Sequence, residues 1–105
     1  MDTLQVVVEP RRREILRLLW DRELSVGEVA SQFPVSFAAV SLHLGVLREA
    51  GLVTVRPAGK RRLYTANRDA LGWLAPMLET MWRQDLDQLA AVAEAEEPTR
   101  TRDQR

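Results

Sequence analysis

Apolar positions recur along this chain in blocks of helical or alternating period, and turn-forming residues separate the blocks. Asp2 to Val8 is a short apolar segment that predicts a first helix. Glu9-Pro10 marks a boundary, and Pro10 suits the first turn of a second helix, where a missing amide costs nothing. Between Pro10 and Trp20, Ile15, Leu18 and Leu19 fall at helical spacing, while Arg11, Arg12, Arg13 and Arg17 point elsewhere. Ser25-Val26-Gly27-Glu28 is a capping-box pattern, in which the serine accepts from the amide near Glu28 and the carboxylate reaches back. The helix it opens offers Val26, Val29, Ala30 and Phe33 to a core, and Pro34 forces a turn after it.

Ser36 is placed to cap the next helix, which runs to about Ala50. With roughly 100° between successive residues, Val40, Leu44 and Leu47 form an inward stripe. Ala38, Leu42, Gly45 and Glu49 then face outward, with Ser41 beside them. Gly51 stops this helix as a left-handed cap. Leu52–Pro57 and Arg61–Thr65 read as two short strands around Ala58-Gly59-Lys60, with Pro57 on an edge where a missing donor is tolerated. The last periodic element spans Arg68 to about Glu94 and carries Leu71, Leu74, Leu78, Trp82, Leu86, Leu89 and Ala93 at three- and four-residue steps. Pro76 is expected to kink or split it near Leu74. Residues 95–105 are polar, contain Pro98 and are expected to be disordered.

These elements predict a mainly α fold with a small β-hairpin wing, in the order α-α-α-α-β-β-α: a winged helix-turn-helix in one domain, residues 1–94, followed by the tail. Such a unit lays one helix in the major groove of DNA.

The overall charge is zero, with 15 basic and 15 acidic residues, and argues at first against nucleic acid. Its distribution reverses that reading. From Pro34 to Arg68 six basic residues face one acid, a net +5; from Asp69 onward the net is −4, and the N-terminal part carries −1. A basic middle with an acidic end is a localised footprint. Arginine outnumbers lysine fourteen to one, as in GC-rich bacterial genomes. The absence of cysteine excludes disulfides and thiolate metal sites and fits a cytoplasmic protein. No apolar run approaches membrane-spanning length, and Met1 to Val8 lacks the basic region of a secretory signal.

The segment VSFAAVSLHLGVLREAGLV, Val35 to Val53, resembles the recognition helix of the ArsR-type winged-helix repressors of bacteria. EPRRREILRLL, Glu9 to Leu19, is similar to that family's second helix, and GKRRLY, Gly59 to Tyr64, to its wing. The resemblance covers Glu9 to about Asn67, and the C-terminal helix by position. It implies a homodimer paired through its first and last helices on a palindromic operator. In this family it often implies metal sensing, and here the sequence departs. The site on the helix before the turn needs cysteines, which Ser25 to Phe33 lacks; the site on the last helix uses Asp and His, and this helix has no histidine. WLAPMLETMWRQDLDQLAAVAE, Trp73 to Glu94, instead resembles a metal-independent branch. No metal or cofactor is therefore expected.

The candidate DNA-binding residues are Ser36, Phe37, Ala38, Ser41, Leu42, His43 and Gly45 on the recognition helix, and Arg56, Lys60, Arg61 and Arg62 around the wing. Leu42 and Gly45 stand where relatives commonly carry Gln or Lys, so this face offers methyl contacts to thymine and close backbone approach rather than many hydrogen bonds. A helix binding mainly by shape and phosphate contacts is the plainer alternative. His43 is read as a phosphate contact, a brace for the helix or an ordinary structural histidine, and the wing cations as phosphate and minor-groove contacts or a solvated hairpin. Arg11, Arg12 and Arg13 either reach phosphate or form a solvated face.

Candidate dimer residues are Leu4, Val8, Leu74, Leu78, Met81, Trp82, Leu86 and Leu89. Trp73, Met77, Met81 and Trp82 form either dimer core or the lining of a pocket for an apolar effector. Asp85 and Asp87 are two apart and diverge on a helix, so no acid–base pair supports an enzyme. The expected function is a dimeric transcriptional repressor. The alternatives are a protein-interaction module using Leu42 and Val46, or a repressor released by a small apolar effector.

Overall fold

The structure, a computed structural model, describes residues 2–85. A first unit ends at Gly72 and a second begins at Trp73.

In the first unit, α1 (Thr3–Val8) is opened by a capping box. The Asp2 carboxylate accepts from the Gln5 amide at 2.8 Å, and the Gln5 side chain accepts from the Asp2 amide at 3.1 Å. α2 (Pro10–Leu18) follows at once, with Glu9 as its N-cap and Pro10 in its first turn. Arg12 and Arg13 lie back along α1: Arg12 Nε donates to the Val6 carbonyl at 2.8 Å, and Arg13 donates to the carbonyls of Val7 and Val8 at 3.0 and 2.8 Å. Those carbonyls have no intrahelical partner, so the two guanidiniums finish α1. Neither the phosphate nor the solvated reading describes them. Arg11 is also engaged, 5.1 Å above the Phe33 ring and 3.4 Å from Glu14.

α3 (Val26–Ala30) opens on the expected capping box, Ser25 with Glu28, and is only five residues long. The next helix, α4 (Phe37–Glu49), begins where the Ser36 hydroxyl accepts from the Ala39 amide at 3.1 Å. It ends on a left-handed Gly51, φ 77°, with Gly51 and Leu52 amides returning to the carbonyls of Arg48 and Leu47 at 2.9 Å each. No atom lies within 4 Å of where a Gly51 side chain would start, so a substitution there strains the backbone and nothing else. Gly51→Ala is expected to lower the unfolding free energy by about 1 kcal/mol, read from the urea midpoint at unchanged slope.

β1 (Val53–Ala58) pairs antiparallel with β2 (Arg61–Ala66), in a register that sets Val55 opposite Tyr64 and Pro57 opposite Arg62. Gly59, φ 65°, supplies the positive φ in the two-residue turn. Leu24 adds a third rung by exchanging backbone hydrogen bonds with Tyr64 at 3.0 and 2.8 Å. A single bridged residue has no periodicity to reveal it in the sequence. α2 packs against α4, and α4 against both α3 and β1. Ile15, Leu16, Leu19, Val29, Val40, Leu44, Leu47 and Leu52 are fully buried. Leu16 takes the place expected of Leu18, which is only half-buried.

The C-terminal periodic segment is interrupted. α5 (Arg68–Leu71) ends at Gly72, φ 57° and ψ −127°, and helix resumes as α6 at residue 74, described to residue 85. Gly72 makes the break, not Pro76. Pro76 sits in the first turn of α6, where its absent amide has no acceptor to miss. No helix among the described residues is long and apolar enough to cross a membrane. The expectations for Leu86, Leu89, Ala93 and residues 95–105 lie outside the described residues.

Candidate nucleic-acid interface

The site is built on α4 because that helix is held from one side only. Val40, Leu44 and Leu47 are at most 1% exposed, which turns Ala38, Ser41, Leu42, Gly45, Arg48 and Glu49 to solvent. Two large apolar side chains stand out on this helix, Leu42 at 74% exposure and Phe37 at 61%. Leaving them in water forgoes burial worth roughly 1.5–3 kcal/mol each, a cost that an external partner would recover. Gly45 has open space around the position of a side chain, so no internal packing demands a glycine there. Ser36 is occupied as the N-cap, while Ser41 is exposed on the outward face.

His43 is half-buried, its Nδ1 3.9 Å from Glu9 Oε2. That oxygen also accepts from the Arg12 amide at 3.0 Å, so His43 links α4 to the start of α2. Burial pushes the Glu9 carboxyl up, but the amides of Arg12 and Arg11 and the charge of His43 outweigh it and hold the pKa below its ordinary value.

The wing divides its four cations by face. Arg56 and Arg61 share one face of the hairpin, and each meets a carboxylate. Arg56 donates to both oxygens of Glu23 at 2.6 and 2.8 Å, and Arg61 lies 3.3 Å from Glu28. The hydrogen bond from Arg56 lowers the Glu23 pKa, and the Ser25 amide and hydroxyl lower that of Glu28, with Arg61 adding to it. Both pairs are therefore intact above the ordinary carboxylate range and are lost as pH falls through the lowered values. Lys60, at the turn, and Arg62, on the opposite face, are exposed and meet no carboxylate among the described residues. The four wing cations expected to act alike are thus two that are neutralised and two that are not. Arg48, absent from the sequence expectation, joins the unpaired set. It sits seven residues after Ser41, two helical turns on and on the same stripe.

The apolar residues expected to pair two copies are also divided. Leu4 and Val8 are exposed, at 52% and 61%, and Met81 is half-buried. Leu74, Leu78 and Trp82 are 5–8% exposed, whereas Trp73 and Met77 stand at 66% and 58%. Periodicity reports a stripe but not which of its members stand exposed. Beside Met77 and Met81, with Pro76, Leu78 and Thr80, runs an apolar groove of about 570 Å³. Among the described residues no three His, Cys, Asp or Glu side chains converge to hold a metal ion.

The architecture and this surface have known counterparts. Residues 9–55 match the family described as bacterial regulatory protein, arsR family. The chain is 40% identical over 92 residues to the HTH-type transcriptional regulator Rv2034 of Mycobacterium tuberculosis, covering 88% of this chain and 86% of that one. A crystal structure described as a possible transcriptional regulator for arsenical resistance superposes with a TM-score of 0.67 at 42% identity, over 87% of this chain and 95% of the other. The homodimeric winged helix-turn-helix DNA-binding domain of Mb0332 from Mycobacterium bovis superposes with a TM-score of 0.66 at 25% identity, over 76% and 74% of the two chains. An exposed helix face beside a hairpin with unpaired cations, on a scaffold shared at this level of identity, assigns the chain to the ArsR family of DNA-binding transcriptional regulators.

Proposed function

We propose that the protein acts as a homodimer that lays α4 of each copy into successive major grooves of a palindromic operator in the cytoplasm, represses by occupying the promoter, and answers to no metal. The observation that carries this is the solvent-facing side of α4, where Leu42 and Phe37 stand exposed within one winged unit whose Lys60 and Arg62 are unpaired. The cations hold phosphate, and the apolar side chains read thymine methyl groups. Pairing is supported by the homodimeric state of the Mb0332 domain and by the exposed Leu4, Val8, Trp73 and Met77. Metal indifference is supported by the absence of cysteine and the single histidine, which leave no soft-metal donor set.

Hydroxyl-radical footprinting on the gene's own upstream region tests the reading. Two protected stretches are expected, their centres about one helical turn apart, unchanged by zinc or arsenite. One protected stretch, or none, contradicts it. The wing provides a second check. Lys60→Ala with Arg62→Ala is expected to weaken binding to all duplexes alike and to flatten the salt dependence by about two contacts. Arg56→Ala with Arg61→Ala removes cations already neutralised, and the slope is expected to change by less than one.

A further inference from the structure

Where the C-terminal turn of α4 meets the hairpin, Arg48, Val55, Arg56, Pro57 and Arg62 line a recess of about 190 Å³. Arg48 comes from α4 and Arg62 from β2, on the same hairpin face as Val55 and Pro57, while the Arg56 side chain lies on the other face, where it meets Glu23. Two like charges brought to one recess repel unless an anion sits between them. Arg56 is answered from outside the recess by both oxygens of Glu23, which fixes its position and cancels its charge. Arg48 and Arg62 are exposed and meet no carboxylate among the described residues. The recess therefore keeps two open positive charges on an apolar floor of Val55 and Pro57. It lies on the side of α4 that carries Ser41, and β2 brings Arg62 to it from the wing.

We propose that this recess is a phosphate site: Arg48 and Arg62 together grip one phosphodiester of the DNA backbone, at the inner corner between recognition helix and wing. The site rests on the DNA-binding reading above and adds to it a residue, Arg48, and a shared contact. A guanidinium fork suits phosphate oxygens, and two forks on one phosphate fix the angle at which α4 enters the groove. The contact carries no base information, so it sets affinity and register.

A double-substitution cycle tests it. Arg48→Gln and Arg62→Gln keep the side-chain stem and remove the charge; both residues are exposed, and an unchanged thermal unfolding midpoint confirms that each variant folds. Each is expected to weaken binding to upstream and unrelated duplexes about tenfold at moderate salt, and the double variant by little more than the weaker single. Arg22→Gln, an exposed cation away from the recess, is the control and leaves affinity unchanged. Duplexes each carrying one neutral methylphosphonate then locate the contact. At one position, the same for both residues, the penalty of each substitution disappears. Full multiplication of the two single penalties means two separate phosphates and overturns the shared site. An unaltered affinity in Arg48→Gln leaves Arg48 as a cation complementing the α4 dipole, which also overturns it. Inorganic phosphate that binds the unaltered protein at fixed ionic strength, and stays bound in the DNA complex, assigns the recess to a free oxyanion instead. Failure of the unaltered protein to bind any duplex removes the DNA-binding reading itself, whereas normal binding with a silent Arg48→Gln removes only the recess.

Discussion

Replacing Leu4 and Met77 together by glutamate is expected to leave a folded monomer that binds the upstream DNA roughly 10²–10⁴-fold more weakly, because two half-sites are then no longer engaged by one linked pair of helices. The two residues are chosen by exposure. Leu4 is 52% and Met77 58% exposed, so a charge on either costs one copy little and opposes the burial that pairing requires. Trp82, which the sequence stripe includes, is a less direct probe. Trp82 is 8% exposed, so an aspartate there would read stability together with assembly. Every proposed DNA contact remains in the Leu4/Met77 variant, so its loss of affinity isolates assembly from contact. Sedimentation at micromolar concentration reads the oligomeric state directly. A variant that is monomeric yet binds as tightly as the unaltered protein contradicts the homodimer.

The other large effect is on stability. Leu44→Ala is expected to lower the unfolding free energy by about 2–5 kcal/mol. Leu44 is 1% exposed and lies on the helix that α2, α3 and β1 all pack against, so little can collapse into the space it leaves. For a domain of this size such a loss is a large part of the whole. Urea unfolding followed by far-UV circular dichroism measures it. Leu42→Ala, one face away at 74% exposure, is expected to shift the midpoint hardly at all while lowering affinity for the upstream DNA. The pair separates holding the recognition helix from using it. A comparable loss of stability in both variants would mean that the outward face is not free.

The contrast between these two leucines was legible in the sequence. Ser36, Pro34 and Gly51 bound α4, and the Val40–Leu44–Leu47 stripe fixes its rotation, all within the local chemistry of residues 34–51. The hairpin was legible for the same reason. What could not be read is what long-range pairing decides. Arg56 and Glu23 are 33 residues apart, and no local pattern foretells that their side chains meet. Arg12 and Arg13 look like a basic face until the end of α1 is seen to lie against them. Along the C-terminal segment the periodic stripe was found, but one glycine conformation at Gly72, with φ 57°, moved the break away from Pro76. Arg48 is legible as charge, and its seven-residue step from Ser41 also sets it on the outward stripe.

The central claim is that α4 and the unpaired cations around it bind duplex DNA with sequence preference. Titrating the gene's own upstream duplex and an unrelated duplex of equal length, at two salt concentrations, tests it most directly. The expected result is an affinity that falls steeply with salt for both, with the upstream duplex bound more tightly at each. Equal, salt-insensitive affinity for the two duplexes would contradict the account and point to a protein partner for Leu42 and Phe37.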